Sequence, residues 1–234
     1  KLAYALAIHH WIEKKRVILT KQIENAVLNM LKYSSNDATS FLIDLLTGTT
    51  SGLSLEGAAW DKWKYQREII NDWLISLGWD EVKEFNCCQK TWEDGPYGRE
   101  KDFYDQNNQN RNSMSAYGTA KILEEIIHHK IYHQNNLKLK DFLFRNLAID
   151  QLTENENQVK GFLGEGLPEK TPFWSKAGLM SKARHDAAWW LNNQSSQTLL
   201  VVFGNGQNFA NDTSFLPEIS HAIYTYNQQN LASL

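Results

Sequence analysis

The spacing of apolar residues changes from helical to strand-like at Phe162, and that change limits the fold more than any other feature. Before it, apolar positions recur at helical spacing; after it, they gather in short runs rich in aromatic and β-branched residues. The first helical pattern, over residues 1–18, carries Leu2, Leu6, Ile8, Trp11 and Ile12 and ends in the basic cluster Lys14, Lys15 and Arg16, suited to a helix C-terminus. Thr20 caps a second helix with Ile23, Val27, Met30 and Leu31 on one face, ending at Tyr33. Ser35 or Asn36 caps a third, with Phe41, Leu42, Leu45 and Leu46 inside and Gly48 as its stop. Ser54 opens a long pattern through Trp60, Trp63, Ile69, Ile70, Trp73, Leu74 and Leu77, closed by Gly78. Ser115 caps a further helix from Ala116 to about Lys130, and a shorter one covers roughly 138–150.

Beyond Phe162, residues 173–176 read as a strand running into Ala177-Gly178, 186–191 as a second and 198–203 as a third, before a last helix over 214–230. Helices followed by a strand meander and a terminal helix predict an α+β fold with an antiparallel sheet. With no internal repeat and no linker, the 234 residues read as a single domain. Residues 79–113 stand apart: Asn86, Asp94-Gly95-Pro96, Gly98 and the Asn-rich 107–112 show little periodicity. A loop of that length within a compact domain points to function.

Composition narrows the function. A formal net charge of -3 gives no basic footprint for nucleic acid or an anionic membrane, and no apolar run is long enough to span a bilayer. The nine tryptophans suit a packed domain with an aromatic-lined groove. Cys87 and Cys88 are neighbours, which rarely bridge each other, and two thiols are too few for a structural zinc site. The pairs His9-His10 and His128-His129 likewise lack metal-ligand spacing.

Three short motifs carry the chemistry: Lys1-Leu2-Ala3 opening the first helix, Tyr33-Ser34-Ser35-Asn36 at the turn between two helices, and Lys176-Ala177-Gly178 in the first strand. Singly, each has a plain reading: an N-terminal lysine, a helix cap, a strand-end lysine before a turn glycine. In this order they resemble the active-site elements of the penicillin-recognising serine hydrolases, the class A β-lactamases and their D,D-peptidase relatives. The resemblance covers nearly the whole chain and implies a β-lactamase/transpeptidase-like fold, an antiparallel sheet packed with a helical lobe. It implies a serine hydrolase of an amide or ester, β-lactam or cell-wall-peptide-like, that works through an acyl-enzyme.

The family's nucleophilic serine precedes its first lysine by three residues, which here falls before residue 1. The resemblance therefore implies that residues 1–234 lack the family's N-terminal strands and the nucleophile itself. Lys1 and Ser34 then move protons, Asn36 holds the substrate amide and a lysine amine, Lys176 attracts a substrate carboxylate, and Gly178 admits close approach of substrate. The N–H of Leu179 contributes to an oxyanion hole. Two departures matter. Ser35 takes the middle position where class A enzymes carry Asp, away from substrate. Ala177 replaces a hydroxyl residue, which removes a hydrogen bond to the carboxylate, about 1–3 kcal/mol, and predicts weak binding of ordinary penicillins.

The long loop aligns with the family's omega loop, with Arg111-Asn112 resembling its closing pair. Glu100 is the nearest candidate for the deacylating base, although the local Glu-x-x-Leu-Asn pattern is absent; the alternative is a surface carboxylate paired with Arg99 or Lys101. Arg184-His185-Asp186 is read as structural, since neighbours on a strand point to opposite faces. The resemblance implies no cofactor or metal, a small-molecule or peptide substrate bearing a carboxylate, and the periplasm or cell envelope. Two rivals are kept open: a non-catalytic β-lactamase-like binding domain, and an unrelated helical interaction domain in which these motifs are caps and turns.

Overall fold

The computed structural model describes residues 1–105, 107, 109–128, 137–148, 158–193 and 196–231. The chain divides into two compact units, one of residues 1–122 and 129–137, the other of residues 123–128 and 138–234. Helix α6 (Ala116–His128) runs through both.

The first unit is helical. Helix α1 (Leu2–Glu13) is apolar around its whole circumference, and Leu2 through Ile8 are each no more than 4% exposed. A helix of that kind has no wet face and sits inside its unit. Helices α2 (Lys21–Lys32) and α3 (Asn36–Thr47) are amphipathic instead, burying Val27, Met30 and Leu31 from one and Leu42, Ile43 and Leu46 from the other. Each such aliphatic side chain removed from water contributes about 1.5–3 kcal/mol. Thr20 caps α2 by accepting from Ile23 N, and Gly48 ends α3 in the left-handed conformation. Helix α4 (Gly57–Ser76) begins later than the Ser54 cap predicts, because Gly57 holds φ +54°, a backbone no helix interior uses.

The 79–113 segment is far from structureless. A 3-10 turn covers Asp80–Val82, and helix α5 spans Arg99–Tyr104. Asn86 and Ser113 pair as an antiparallel bridge that ties the ends of the segment together. Gly98 is required where it stands: φ is +52°, and a Cβ would lie 2.1 Å from the carbonyl oxygen of Gly52. That approach lets Arg99 donate from its backbone N to Gly52 O and from Nε to Leu53 O, stitching α5 to the loop before α4.

The second unit holds the sheet. Strands β1 (Phe144–Arg145), β2 (Phe173–Met180), β3 (Ala183–Leu191) and β4 (Gln197–Asn205) lie in sequence order, every pair antiparallel. One face carries Phe173, Ala177, Ala188 and Trp190 into a core with Leu163 and with Leu216 of helix α9 (Phe215–Leu231). The strands extend past the runs read from sequence, because the ladders continue to Met180↔Ala183 at the β2–β3 turn and to Ala183↔Asn205 at the far end of the β3–β4 pair. Helix α7 (Leu139–Leu143) stops early and gives way to β1, while residues 149–150 lie outside the described residues. A short helix α8 (Gln207–Asn211) follows Gly206. Among the described residues, no helix is long and apolar enough to cross a membrane.

Candidate active site

The turn between α2 and α3 separates capping from chemistry. Ser35 is the cap: its Oγ accepts from Ala38 N at 3.1 Å and its carbonyl accepts from Thr39 Oγ1 at 2.7 Å. Its neighbours on either side are turned toward Lys1. The Lys1 amine donates to Asn36 Oδ1 at 2.9 Å, to Ser34 Oγ at 3.1 Å and to the Ser34 carbonyl oxygen. Ser34 holds φ +57°, a left-handed conformation costly for a residue with a Cβ. A tight hydrogen-bonded turn, with Tyr33 N and Ser35 N both on Asn29 O, keeps it there. Residues in such conformations persist where surrounding structure imposes them, and they cluster at functional sites.

Lys1 sits half-buried at the head of an apolar helix, and burial lowers its amine to about 8. An amine with that pKa is neutral in about a tenth of molecules at pH 7, far more than an ordinary lysine. Ser34, one of its partners, can both accept and donate a proton. The three sequence-predicted residues of this unit therefore meet at one point.

Glu100 lies elsewhere in the unit's network. It is fully buried, and its Oε1 accepts from Arg67 at 2.7 Å and from Ser51 Oγ at 2.8 Å. Neither Arg99 nor Lys101 is its partner, so the surface alternative does not apply. Arg67, also fully buried, lies 3.6 Å from Asp44 and 4.5 Å above the Trp63 ring. Lys90 completes the cluster at 2.7 Å from Asp44 and 3.8 Å from Glu100. Two cations thus offset two carboxylates. Burial pushes the Asp44 carboxyl up, against the hydrogen bond from Lys90.

The closing pair of the long loop works through its asparagine. Asn112 Oδ1 accepts from Cys88 N at 3.0 Å and Gln89 N at 2.9 Å, and Nδ2 donates to Gln89 O at 2.8 Å. The Tyr4 hydroxyl of α1 lies within reach of Gln89 O and Asn112 Oδ1. Arg111 takes part through its carbonyl, which accepts from Asn86. Cys87 and Cys88 are buried free thiols, raised by burial to about 11 and about 12, and are inert as nucleophiles.

In the second unit, Lys176, Ala177, Gly178 and Leu179 lie in β2. Strand β1 pairs only with Phe173 and Trp174, so beyond those residues this edge of β2 has no strand partner among the described residues. The Ser175 carbonyl accepts from Arg145 at 2.9 Å on that side, and Ala177 N donates to Gln158 Oε1 at 3.2 Å. Strand alternation then directs the Leu179 N–H to the same open edge. A Cβ built on Gly178 would meet only the Cβ of His185, at 4.0 Å, so the fold does not itself require glycine there. The methyl group of Ala177, by contrast, is packed in the core.

Lys176 is buried, and its amine donates to Gln158 Oε1 at 2.8 Å and to the Ala177 carbonyl oxygen. Nothing in the sequence around Gln158 marks it for this role; its signal is visible only once β2 has an open edge. Arg184 and Asp186 are framework residues. The Arg184 guanidinium donates to the carbonyls of Gly161 and Ala210, and Asp186 Oδ2 accepts from Leu163 N at 3.1 Å. His185 points to the opposite face, its ring 4.7 Å from that of Phe203.

The model of the beta-lactamase enzyme family, Beta-lactamase2, matches residues 10–227, and the chain belongs to that family. A beta lactamase from Xanthomonas campestris pv. campestris superposes with a TM-score of 0.63 at 14% identity, over 96% of this chain and 80% of that one. PBP-A does so with a TM-score of 0.61 at 14% identity, over 97% and 79%. An ancestral class A beta-lactamase gives 0.61 at 13% identity, over 96% and 82%. A variant of PBP-A has been seen as an acyl-enzyme complex with penicillin G. No curated protein matches the chain in sequence. The α+β fold is that of the class A β-lactamases, and the unrelated helical domain falls away with the antiparallel sheet.

Proposed function

We propose that this protein is a serine hydrolase that cleaves an amide or ester in a carboxylate-bearing, β-lactam-like or cell-wall-peptide-like substrate through an acyl-enzyme. The nucleophile is a serine three positions before Lys1 in the native protein, as the family motif requires. The observation that carries the reading is the Lys1 amine, lowered to about 8 by burial and held by Ser34 and Asn36.

In this mechanism the neutral Lys1 amine takes the proton of the serine hydroxyl as its oxygen bonds to the substrate carbonyl carbon. The proton passes through Ser34 to the leaving nitrogen or oxygen as the scissile bond breaks. The Leu179 N–H, on the open edge of β2, stabilises the oxyanion, and Lys176 holds the carboxylate. Water then hydrolyses the acyl-serine.

Deacylation is slow in this account. The commitment of Glu100 to Arg67 and Ser51 supports that reading, because its Oε1 is already engaged by two protein donors instead of being offered to a water. Lost general-base assistance costs about 10²–10⁴-fold in rate. Steady-state assays of the native full-length protein with a chromogenic cephalosporin and an activated ester test it. Slow turnover that disappears in Lys1→Ala supports the proposal. Turnover near the ~10–10³ s⁻¹ of efficient enzymes, abolished by Glu100→Gln, would instead make Glu100 the deacylating base. Turnover that survives Lys1→Ala would remove the lysine from the mechanism.

A further inference from the structure

We propose that Gln158 is a positioning and specificity-determining residue, holding the Lys176 ammonium at the open edge of β2 so that the site selects substrates carrying a carboxylate. The inference rests on the reading of Lys176 as the carboxylate-binding cation. It adds a residue that the three motifs do not contain.

The argument starts from the backbone. Past Trp174, β2 has no strand beside it on its β1 side among the described residues, so the N–H of Ala177 faces an acceptor supplied from outside the sheet. Gln158 supplies it. Its Oε1 accepts from Ala177 N at 3.2 Å and, with the same oxygen, from Lys176 Nζ at 2.8 Å. One carbonyl therefore joins the strand edge to the lysine head, and the lysine closes the ring by donating to the Ala177 carbonyl. Both side chains are buried, Gln158 at 7% exposed and Lys176 at 8%, so the arrangement is fixed by its surroundings and is no surface accident.

The chemistry of the acceptor is the second part. An amide oxygen orients an ammonium without neutralising it, whereas a carboxylate at the same place would form an ion pair and cancel the charge offered to an anion. Gln158 also fixes its own orientation. Its Oε1 is taken by two donors, which sets the amide oxygen toward the lysine and the strand. Ala177 lacks the hydroxyl that the family uses beside its lysine, and Gln158 provides a polar group at the same stretch of strand.

The test compares a penicillin with its methyl ester on the native full-length protein, Gln158→Ala and Gln158→Glu, reading the rate of covalent adduct formation against concentration. The expected result is that Gln158→Ala weakens the apparent affinity for the carboxylate about 10-fold or more, the usual weight of a hydrogen bond to a charged group, and that Gln158→Glu weakens it further. The methyl ester should change by less than about threefold on the same scale. Equal losses on both compounds would show a merely structural role and overturn the proposal, as would tighter carboxylate binding in Gln158→Ala, which would make Gln158 a plug.

A measurement without substrate separates this inference from the proposed function. In the NMR titration of the Lys176 Nζ group, Gln158→Glu should raise the amine's pKa relative to the native protein. A titration unchanged by Gln158→Glu would refute the positioning role even in a protein that acylates readily. A raised pKa in a protein that acylates with nothing would uphold the positioning role and sink the hydrolase reading alone.

Discussion

Asn36 Oδ1 accepts a hydrogen bond from the Lys1 amine at 2.9 Å, across a sequence separation of 35 residues. This contact gives the amine a fixed direction, and the head of a buried helix gives it a low pKa. Replacing Asn36 by Ala removes an acceptor from a charged donor, an interaction worth about 1.5–3 kcal/mol. Acylation of the native protein should slow by about 10–100-fold on that basis. As the base must be unprotonated, the native acylation rate should rise with pH and level off above about 8. A pH–rate profile by stopped-flow checks both. An unchanged rate in Asn36→Ala would show that the contact is incidental.

The ion pair between Arg67 and Glu100, 2.7 Å long and fully buried on both sides, makes a prediction about stability. Glu100→Gln leaves the Arg67 charge with only Asp44, at 3.6 Å, as an ion-pair partner among the described residues. Removing one partner of a buried pair typically costs about 3–5 kcal/mol. Urea unfolding should show a loss of that size, with the slope unchanged. A variant of native stability would mean that the cluster contributes little to the fold.

Asp186 provides a pH signature. Burial raises its carboxyl to about 7, against the Leu163 N–H and the charges of Lys176 and Arg145. The folded value lies above the unfolded one, near 3.8, so between those two pH values the folded state binds more protons than the unfolded state. This group's contribution is therefore present below about pH 4 and is lost as the pH rises through about 7. Asp186→Asn carries no such charge. Its stability relative to the native protein should improve between pH 4 and 7 by a few kcal/mol, on the order of 2–4. Denaturant melts at both ends of that range decide it; a constant difference would show that Asp186 does not titrate there.

How much of this was legible in the sequence depends on the range of the interaction involved. Local patterns placed α2, α3 and α6 well, because the caps Thr20, Ser35 and Ser115 act on N–H groups three residues away. The meeting of Lys1, Ser34 and Asn36 followed from the family resemblance, and no periodicity would have shown it. The division of labour between Ser35 and its neighbours needed coordinates, since Ser and Asn cap helices equally well. Helix α5 escaped notice because its six residues depend on a close approach between Gly98 and Gly52, 46 positions upstream, and on a buried charge cluster. Asp44, Arg67 and Lys90 carry no local signal, and Glu100 stood out only as a candidate base; the charge cluster exists once tertiary structure brings the four together. Gln158 and the short β1 were invisible for the same reason.

Intact-mass spectrometry tests the central claim most directly. The native full-length protein, incubated with a penicillin or an activated ester, should gain one acyl group, and peptide mapping should place it on a serine three residues before Lys1. Residues 1–234 alone should gain none. An adduct on the 234-residue chain itself, or a native protein that stays unmodified by both reagents, would contradict the account.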